Sequence, residues 1–137
     1  MALGGLWYNK VKVLLDTNML LVPYQFRVDI FSQLENLLPQ VKNYFVSSKT
    51  IEEIEKLTKY GKGKAKVAAR IAQQLLEHYP IKVLNTTMEA DEFILTLVRD
   101  NPGEWVIATN DKELKDKIRA LGGRVICLRG RKKLSII

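Results

Sequence analysis

Two short polar triplets carry the residue types that chemistry on a phosphate group needs. Asp16-Thr17-Asn18 follows an apolar run at 11–15, and Thr109-Asn110-Asp111 follows another at 105–108. Asp, Asn and Thr are favoured helix N-caps, and capping is the commoner use of any one such triplet. Helical periodicity, about 100° per residue, brings in further acids. In a helix expected at 89–100, Ala90, Phe93, Ile94, Leu95, Leu97 and Val98 form an apolar arc, and Asp91 is the one charge inside it. In a helix expected at 111–121, Asp111 falls on the same inward side as Leu114 and Ile118. In a third, at 50–60, Glu53 and Glu55 border the apolar face of Ile51, Ile54 and Leu57 on opposite sides, and spacing does not choose between them. Glu53 also stands three residues after Thr50, the spacing of a capping box.

Carboxylates on core-facing positions are costly unless something compensates them. They also raise one another's pKa when brought together. No lysine shares those faces, so a hard divalent cation is the expected compensator. Carboxylate oxygens suit Mg²⁺ or Mn²⁺, which are commonly held by a few carboxylates, waters and a phosphate. An acidic pocket of this kind points to metal-assisted attack on a phosphodiester.

The elements that must position these acids follow from the hydrophobic pattern. Short apolar runs at 11–15, 44–46, 81–84, 105–108 and 125–128 are expected strands, each apolar enough to be covered on both faces. Helical stripes lie between them: Ile30, Leu34, Leu37 and Leu38; then Val67, Ala68, Ile71, Ala72, Leu75, Leu76 and Tyr79; then Leu114, Ile118 and Leu121, stopped by Gly122-Gly123. Strands alternating with helices imply an α/β fold with a mainly parallel sheet of five strands. Sites in such folds form at the carboxyl ends of the strands, where both triplets stand.

The chain has 137 residues, the length of one domain. Its single cysteine, Cys127, excludes a disulfide framework and is expected in the core. No apolar run is long enough to cross a membrane. With no signal-peptide core either, the chain is expected to be cytoplasmic and without a membrane partner. The net charge is +7, from 22 Lys and Arg against 15 Asp and Glu. The excess is segregated: residues 56–70 hold six basic residues and no acid, and residues 117–137 hold seven and no acid. Such segregation favours a polyanionic partner. Lys62, Lys64 and Arg70, with Arg129, Arg131 and Lys132 in a basic tail, are the candidate residues for binding that polyanion, nucleic acid being the commonest. Tyr60-Gly-Lys-Gly-Lys64 suits a phosphate backbone but lacks the spacing of a nucleotide-binding loop. Trp7, Tyr8 and Tyr24 are expected in core or homodimer packing rather than base stacking, and the lone His78 at a helix surface rather than at a metal.

Four segments together resemble the PIN-domain ribonucleases: Leu15-Asp16-Thr17-Asn18, Glu53 within Glu52-Glu53-Ile54-Glu55-Lys56-Leu57, Ala90-Asp91-Glu92, and Ala108-Thr109-Asn110-Asp111-Lys112-Glu113-Leu114. The resemblance spans 11–137 as one domain. Residues 1–10 are expected to be an N-terminal extension, in part of vector origin. Lys64-Ala-Lys-Val67-Ala-Ala-Arg70-Ile-Ala and the closing Arg129-Gly-Arg131-Lys-Lys-Leu134-Ser-Ile are similar to the archaeal Fcf-type branch, which acts in small-subunit rRNA processing. The resemblance implies a three-layer α/β/α sandwich and Mg²⁺- or Mn²⁺-dependent hydrolysis of single-stranded RNA. It places the metal-binding and catalytic acids on Asp16, Glu53, Asp91 and Asp111, with the Thr109 hydroxyl near the metal. Single-stranded or structured RNA, including precursor rRNA, would be the partner. The alternatives are a VapC-type toxin, which would bring an antitoxin partner, and a PIN domain that binds RNA without cutting it.

Overall fold

The computed structural model describes residues 11–137; the extension at 1–10, with Trp7 and Tyr8, lies outside the described residues. Strand β1 (Lys12–Leu15) is followed by helices α1 (Thr17–Phe26) and α2 (Ile30–Leu37), and β2 (Tyr44–Ser47) by α3 (Ser48–Tyr60) and α4 (Lys64–His78). Strand β3 (Ile81–Leu84) leads into α5 (Ala90–Asp100), β4 (Trp105–Ala108) into α6 (Lys112–Ala120), and β5 (Arg124–Arg129) into β6 (Lys133–Ile136). The strands lie in the order β3-β2-β1-β4-β5-β6. The first five are parallel, and β6 runs antiparallel to β5.

The sheet therefore has six strands, not five. The segment expected to be a basic tail turns back at Gly130 and Arg131, both with left-handed backbone (φ 60° and 67°), and pairs Leu134 with Leu128. The Gln33 side chain pins this return by donating to the Lys132 carbonyl at 2.9 Å and accepting from the Leu134 N–H at 2.6 Å.

Two-residue alternation along the strands sorts the core into two layers. Val13, Leu15, Tyr44, Val46, Val106 and Ala108 face α1 to α4, and Leu14, Phe45, Trp105, Ile107, Val125 and Cys127 face α5 and α6. This is the three-layer α/β/α sandwich. Each fully buried aliphatic side chain contributes about 1.5–3 kcal/mol. Gly123 allows α6 to close down on α5: a Cβ there would stand 2.7 Å from side-chain carbons of Ile118 and Val98. No helix among the described residues is long and apolar enough to cross a membrane.

The chain builds outward from β1 to β2 and β3, then returns through α5 to lay β4 against the other side of β1. The connections leaving β1 and β4 thus diverge to opposite faces of the sheet. Their carboxyl ends frame the crevice in which open α/β sheets place their sites.

One packing expectation is corrected. Val67 is 39% exposed, while Ala68, Ala69 and Ala72 are fully buried. The small residues let α4 approach α1 and α3 closely, and the larger Val67 falls outside that contact. Ala72→Leu should therefore destabilise the protein by about 1–3 kcal/mol through overpacking. Val67→Ala should stay within about 0.5 kcal/mol of the parent, as surface changes do. Urea unfolding of the two variants checks both.

Candidate functional site

Asp16 is the last residue before α1, and it is 7% exposed. Its backbone N–H bonds the Ala108 carbonyl at 3.0 Å, which ties the end of β1 to the end of β4. The carboxylate Oδ1 accepts from the Thr17 N–H at 2.9 Å. Oδ2 accepts from Thr109 Oγ1 at 2.8 Å and from Asn18 Nδ2 at 3.2 Å. A carboxylate offers about four acceptor positions, so three hydrogen bonds leave Asp16 roughly one for a further ligand. Burial pushes its pKa up; the Thr109 and Thr17 hydrogen bonds act against that, and Asp91 and Asp111 add to it.

The two triplets interlock through side chains that face each other across the crevice. Asn18 Nδ2 also reaches Thr109 Oγ1 at 3.3 Å, and Asn18 Oδ1 accepts from the Asn110 N–H at 2.9 Å. Asn110 Oδ1 accepts from the Leu128 N–H at 2.7 Å, so the second triplet is also fastened to β5. Thr109, wholly buried, accepts from the Asp111 N–H at 3.2 Å. The positioning roles of Asn18 and Asn110 escaped the reading of the sequence. Both residues stand inside the quoted triplets, but an Asn beside a helix start looks like local capping, and only the strand order reveals that the partners are 92 and 18 residues away.

Asp91 and Asp111 stand elsewhere than helical periodicity suggested. Both are exposed, in the first turn of α5 and at the N-cap of α6. A helical wheel gives direction around an axis, but first-turn residues project past the sheet edge instead of onto the core. Asp111 Oδ1 caps α6 by accepting from the Leu114 N–H at 3.0 Å, leaving its second oxygen for other work. The Asp91 carboxyl is raised, first by partial desolvation and then by Asp111 and Glu113, with Lys117 opposing.

Glu53 is not held in a capping box. The N-cap of α3 is Ser47, whose hydroxyl accepts from the Thr50 N–H at 3.2 Å. Thr50 is instead buried inside the helix, taking a hydrogen bond from the Thr17 hydroxyl at 3.0 Å. Glu53 is therefore free to face the crevice. Glu53 is exposed, yet its carboxyl is raised by partial desolvation, with the Thr17 hydroxyl opposing, then raised by Asp16 and Asp91, with Lys56 opposing. This coupling joins Glu53 to the same electrostatic group as the three aspartates. Lys56 and Lys117 also correct the expectation that no lysine approaches these acids. Lys117, however, already pairs with Glu113 at 3.2 Å, and neither lysine bonds a carboxylate of the group.

Among the described residues, no three acid, histidine or cysteine side chains converge tightly enough to form a ready-made metal cage. The donor set nevertheless fits a hard cation. It consists of carboxylate oxygens that repel one another, while the Thr109 hydroxyl is spent on holding Asp16, Asn18 and the Asp111 N–H. Mg²⁺ in particular keeps several waters and takes only one or two carboxylates directly.

The candidate RNA-binding residues lie outside this group. Lys62, Lys64 and Arg70 are exposed around and beyond the turn between α3 and α4. Arg129 ends β5 at the sheet edge that carries Asp16 and Thr109, and Arg131 and Lys132 occupy the exposed turn into β6. Cys127 is buried, His78 is exposed at the end of α4, and Tyr24 is half-buried.

Comparison with known proteins agrees with this geometry. The family described as "PIN like domain" matches residues 13–131. Ribonuclease VapC9 of Archaeoglobus fulgidus is 35% identical over 115 residues, covering 83% of this chain and 81% of its own. Ribonuclease VapC4 of Methanocaldococcus jannaschii is 32% identical over 127 residues, covering 91% and 95%. Among solved structures, the PIN domain endonuclease Utp24 superposes with a TM-score of 0.72 at 26% identity, covering 93% of this chain and 92% of that one. A family match over most of the chain, archaeal relatives above 30% identity and a shared fold around the carboxyl-end crevice lead to one conclusion: this chain belongs to the PIN-like domain family.

Proposed function

We propose that the protein is a cytoplasmic, divalent-metal-dependent endoribonuclease that trims precursor ribosomal RNA. The observation that carries the reading is the electrostatic group of Asp16, Glu53, Asp91 and Asp111 at the β1–β4 crevice of a strongly basic chain. The names of the relatives, two ribonucleases and an endonuclease, support it. Asp16, Asp91 and Asp111 would hold Mg²⁺ or Mn²⁺ near Thr109. Such a cation, when bound, lowers the pKa of a coordinated water and neutralises charge developing on the phosphate. Thr109 and Asn18 fix the Asp16 carboxylate in one orientation. Glu53, coupled electrostatically to Asp16 and Asp91, would orient the attacking water and accept its proton.

The branch assignment rests on the two acid-free basic segments and the closing Arg-Gly-Arg-Lys-Lys turn. A second reading, a toxin ribonuclease controlled by an antitoxin, is favoured by the names of the two archaeal relatives. Sequencing of RNA ends in cells carrying the parent or an Asp111→Asn copy separates them: new ends confined to precursor rRNA support processing, and ends in other RNAs with growth arrest support the toxin.

Purified protein with Mg²⁺ or Mn²⁺ should leave products with a 5′-phosphate and a 3′-hydroxyl, because water and not the RNA 2′-hydroxyl is the nucleophile. Products bearing a 2′,3′-cyclic phosphate, seen by mass spectrometry, would contradict the mechanism. Asp111 allows charge and cap to be separated. Asp111→Asn keeps a good N-cap, so it should unfold at the parent's urea midpoint or above it while losing cleavage by at least about 100-fold, the scale of losing one such electrostatic group. Asp111→Ala should lose cleavage equally and also about 1 kcal/mol of stability with its cap.

A further inference from the structure

Helix α3 is one continuous helix from the crevice to an exposed tip, and one of its faces holds three chemically different groups in a row. Glu53 belongs to the acid group. Lys56, three residues on, lies about 60° around the helix from it. Tyr60, seven residues on, returns to within about 20° of Glu53 and stands about 10 Å farther along the axis. Tyr60 is 79% exposed, the most exposed large apolar side chain among the described residues. An aromatic ring left so bare gains nothing from the core. The groups around it are cationic: Lys59 precedes it, and Lys62 and Lys64 follow on the turn. Among the described residues, none of Lys56, Lys59, Lys62 and Lys64 is engaged in a salt bridge. Lys64 also lines, with Tyr24 and Arg27, a cavity of about 550 Å³ between the end of α1 and the start of α4.

We infer that α3 is the track along which a single-stranded RNA leaves the cleavage site, with a phosphate over Lys56 and an unpaired base stacked on Tyr60. The inference rests on the ribonuclease reading and adds a positioning residue to it. An exposed ring flanked by unpaired cations is the combination that single-strand binding surfaces use: stacking on the ring tolerates any base, and the cations follow the backbone. A base engaged in a duplex keeps both faces covered by its neighbours, so stacking on Tyr60 selects an unpaired strand.

The test uses short unstructured RNA in Mg²⁺, with Asp111→Asn as the background so that binding proceeds without cleavage. Tyr60→Ala should weaken binding about 5- to 150-fold, the range found for removing one stacked base partner. Tyr60→Phe should bind within about two-fold of the background protein, because stacking needs the ring and not its hydroxyl. The salt slope should be unchanged in Tyr60→Ala and smaller by about 0.7 in Lys56→Ala. RNA made abasic at successive positions should lose affinity for the background protein at one fixed position near the cleaved bond, and lose nothing further on Tyr60→Ala. With Asp111 restored, Tyr60→Ala should raise KM with little change in kcat. Equal binding by Tyr60→Ala and its background, or a Tyr60→Phe as weak as Tyr60→Ala, overturns the stacking role alone. Absence of RNA binding and cleavage by the parent overturns the ribonuclease reading as well.

Discussion

The burial of one carboxylate organises the functional half of this molecule. Asp16 sits under Thr109 with only 7% of its surface exposed, and its pKa is raised by that burial. An unsatisfied charge there would cost several kcal/mol. Hydrogen bonds from Thr17, Thr109 and Asn18 offset that cost, and the one from Thr109 exists only because β1 and β4 are neighbours. Asn18 and Asn110 then lock the two triplets together, so the crossover that sets the strand order also sets the site. Topology and chemistry are coupled at a single buried group.

The remaining acids extend the same tension outward. Asp91 and Glu53 are raised by desolvation and by their neighbours, so each prefers to hold its proton longer than an ordinary carboxyl. In the metal-free protein such groups favour the folded state below their raised values relative to above them: the folded chain binds more protons, and their contribution to stability falls as pH rises from the unfolded carboxyl range through the raised folded values. A divalent cation, when bound, would remove that penalty by favouring the ionised forms. Proton uptake or a bound cation would relieve that repulsion, and on the proposed reading the basic face of α3, the α3–α4 turn and the β5–β6 turn would supply the attraction for a polyanion that the acids repel.

Much of this was legible in the sequence, for identifiable reasons. Strands β2 and β4 are short and apolar because both faces are covered, and Cys127 sits in the core for the same reason; β3, expected to be covered likewise, is the edge strand and leaves Lys82 and Val83 exposed. The triplets marked the strand ends because Asp16 and Asp111 cap the helices that follow. What was not legible depended on contacts distant in sequence or on geometry at element ends. Strand β6 is short, charged at its start and held by Gln33 from α2, none of which shows as a periodic signal. Asp91 and Asp111 looked inward on a wheel because periodicity ignores where a helix ends. The Thr50 capping box had the right spacing but lost to Ser47, which stands at the true strand-to-helix junction. Val67 looked like core because hydrophobicity ranks it above alanine, whereas close helix packing favoured Ala68, Ala69 and Ala72.

The central claim is that Asp16, Glu53, Asp91 and Asp111 form one electrostatic group at the β1–β4 crevice, whose three aspartates bind a divalent cation. Anomalous difference maps from crystals grown with Mn²⁺ test it most directly. The account predicts a peak between Asp16, Asp91 and Asp111 on the side of the crevice that Glu53 faces. A peak-free crevice at saturating Mn²⁺, or occupancy confined to the outer acids such as Glu113, would contradict it.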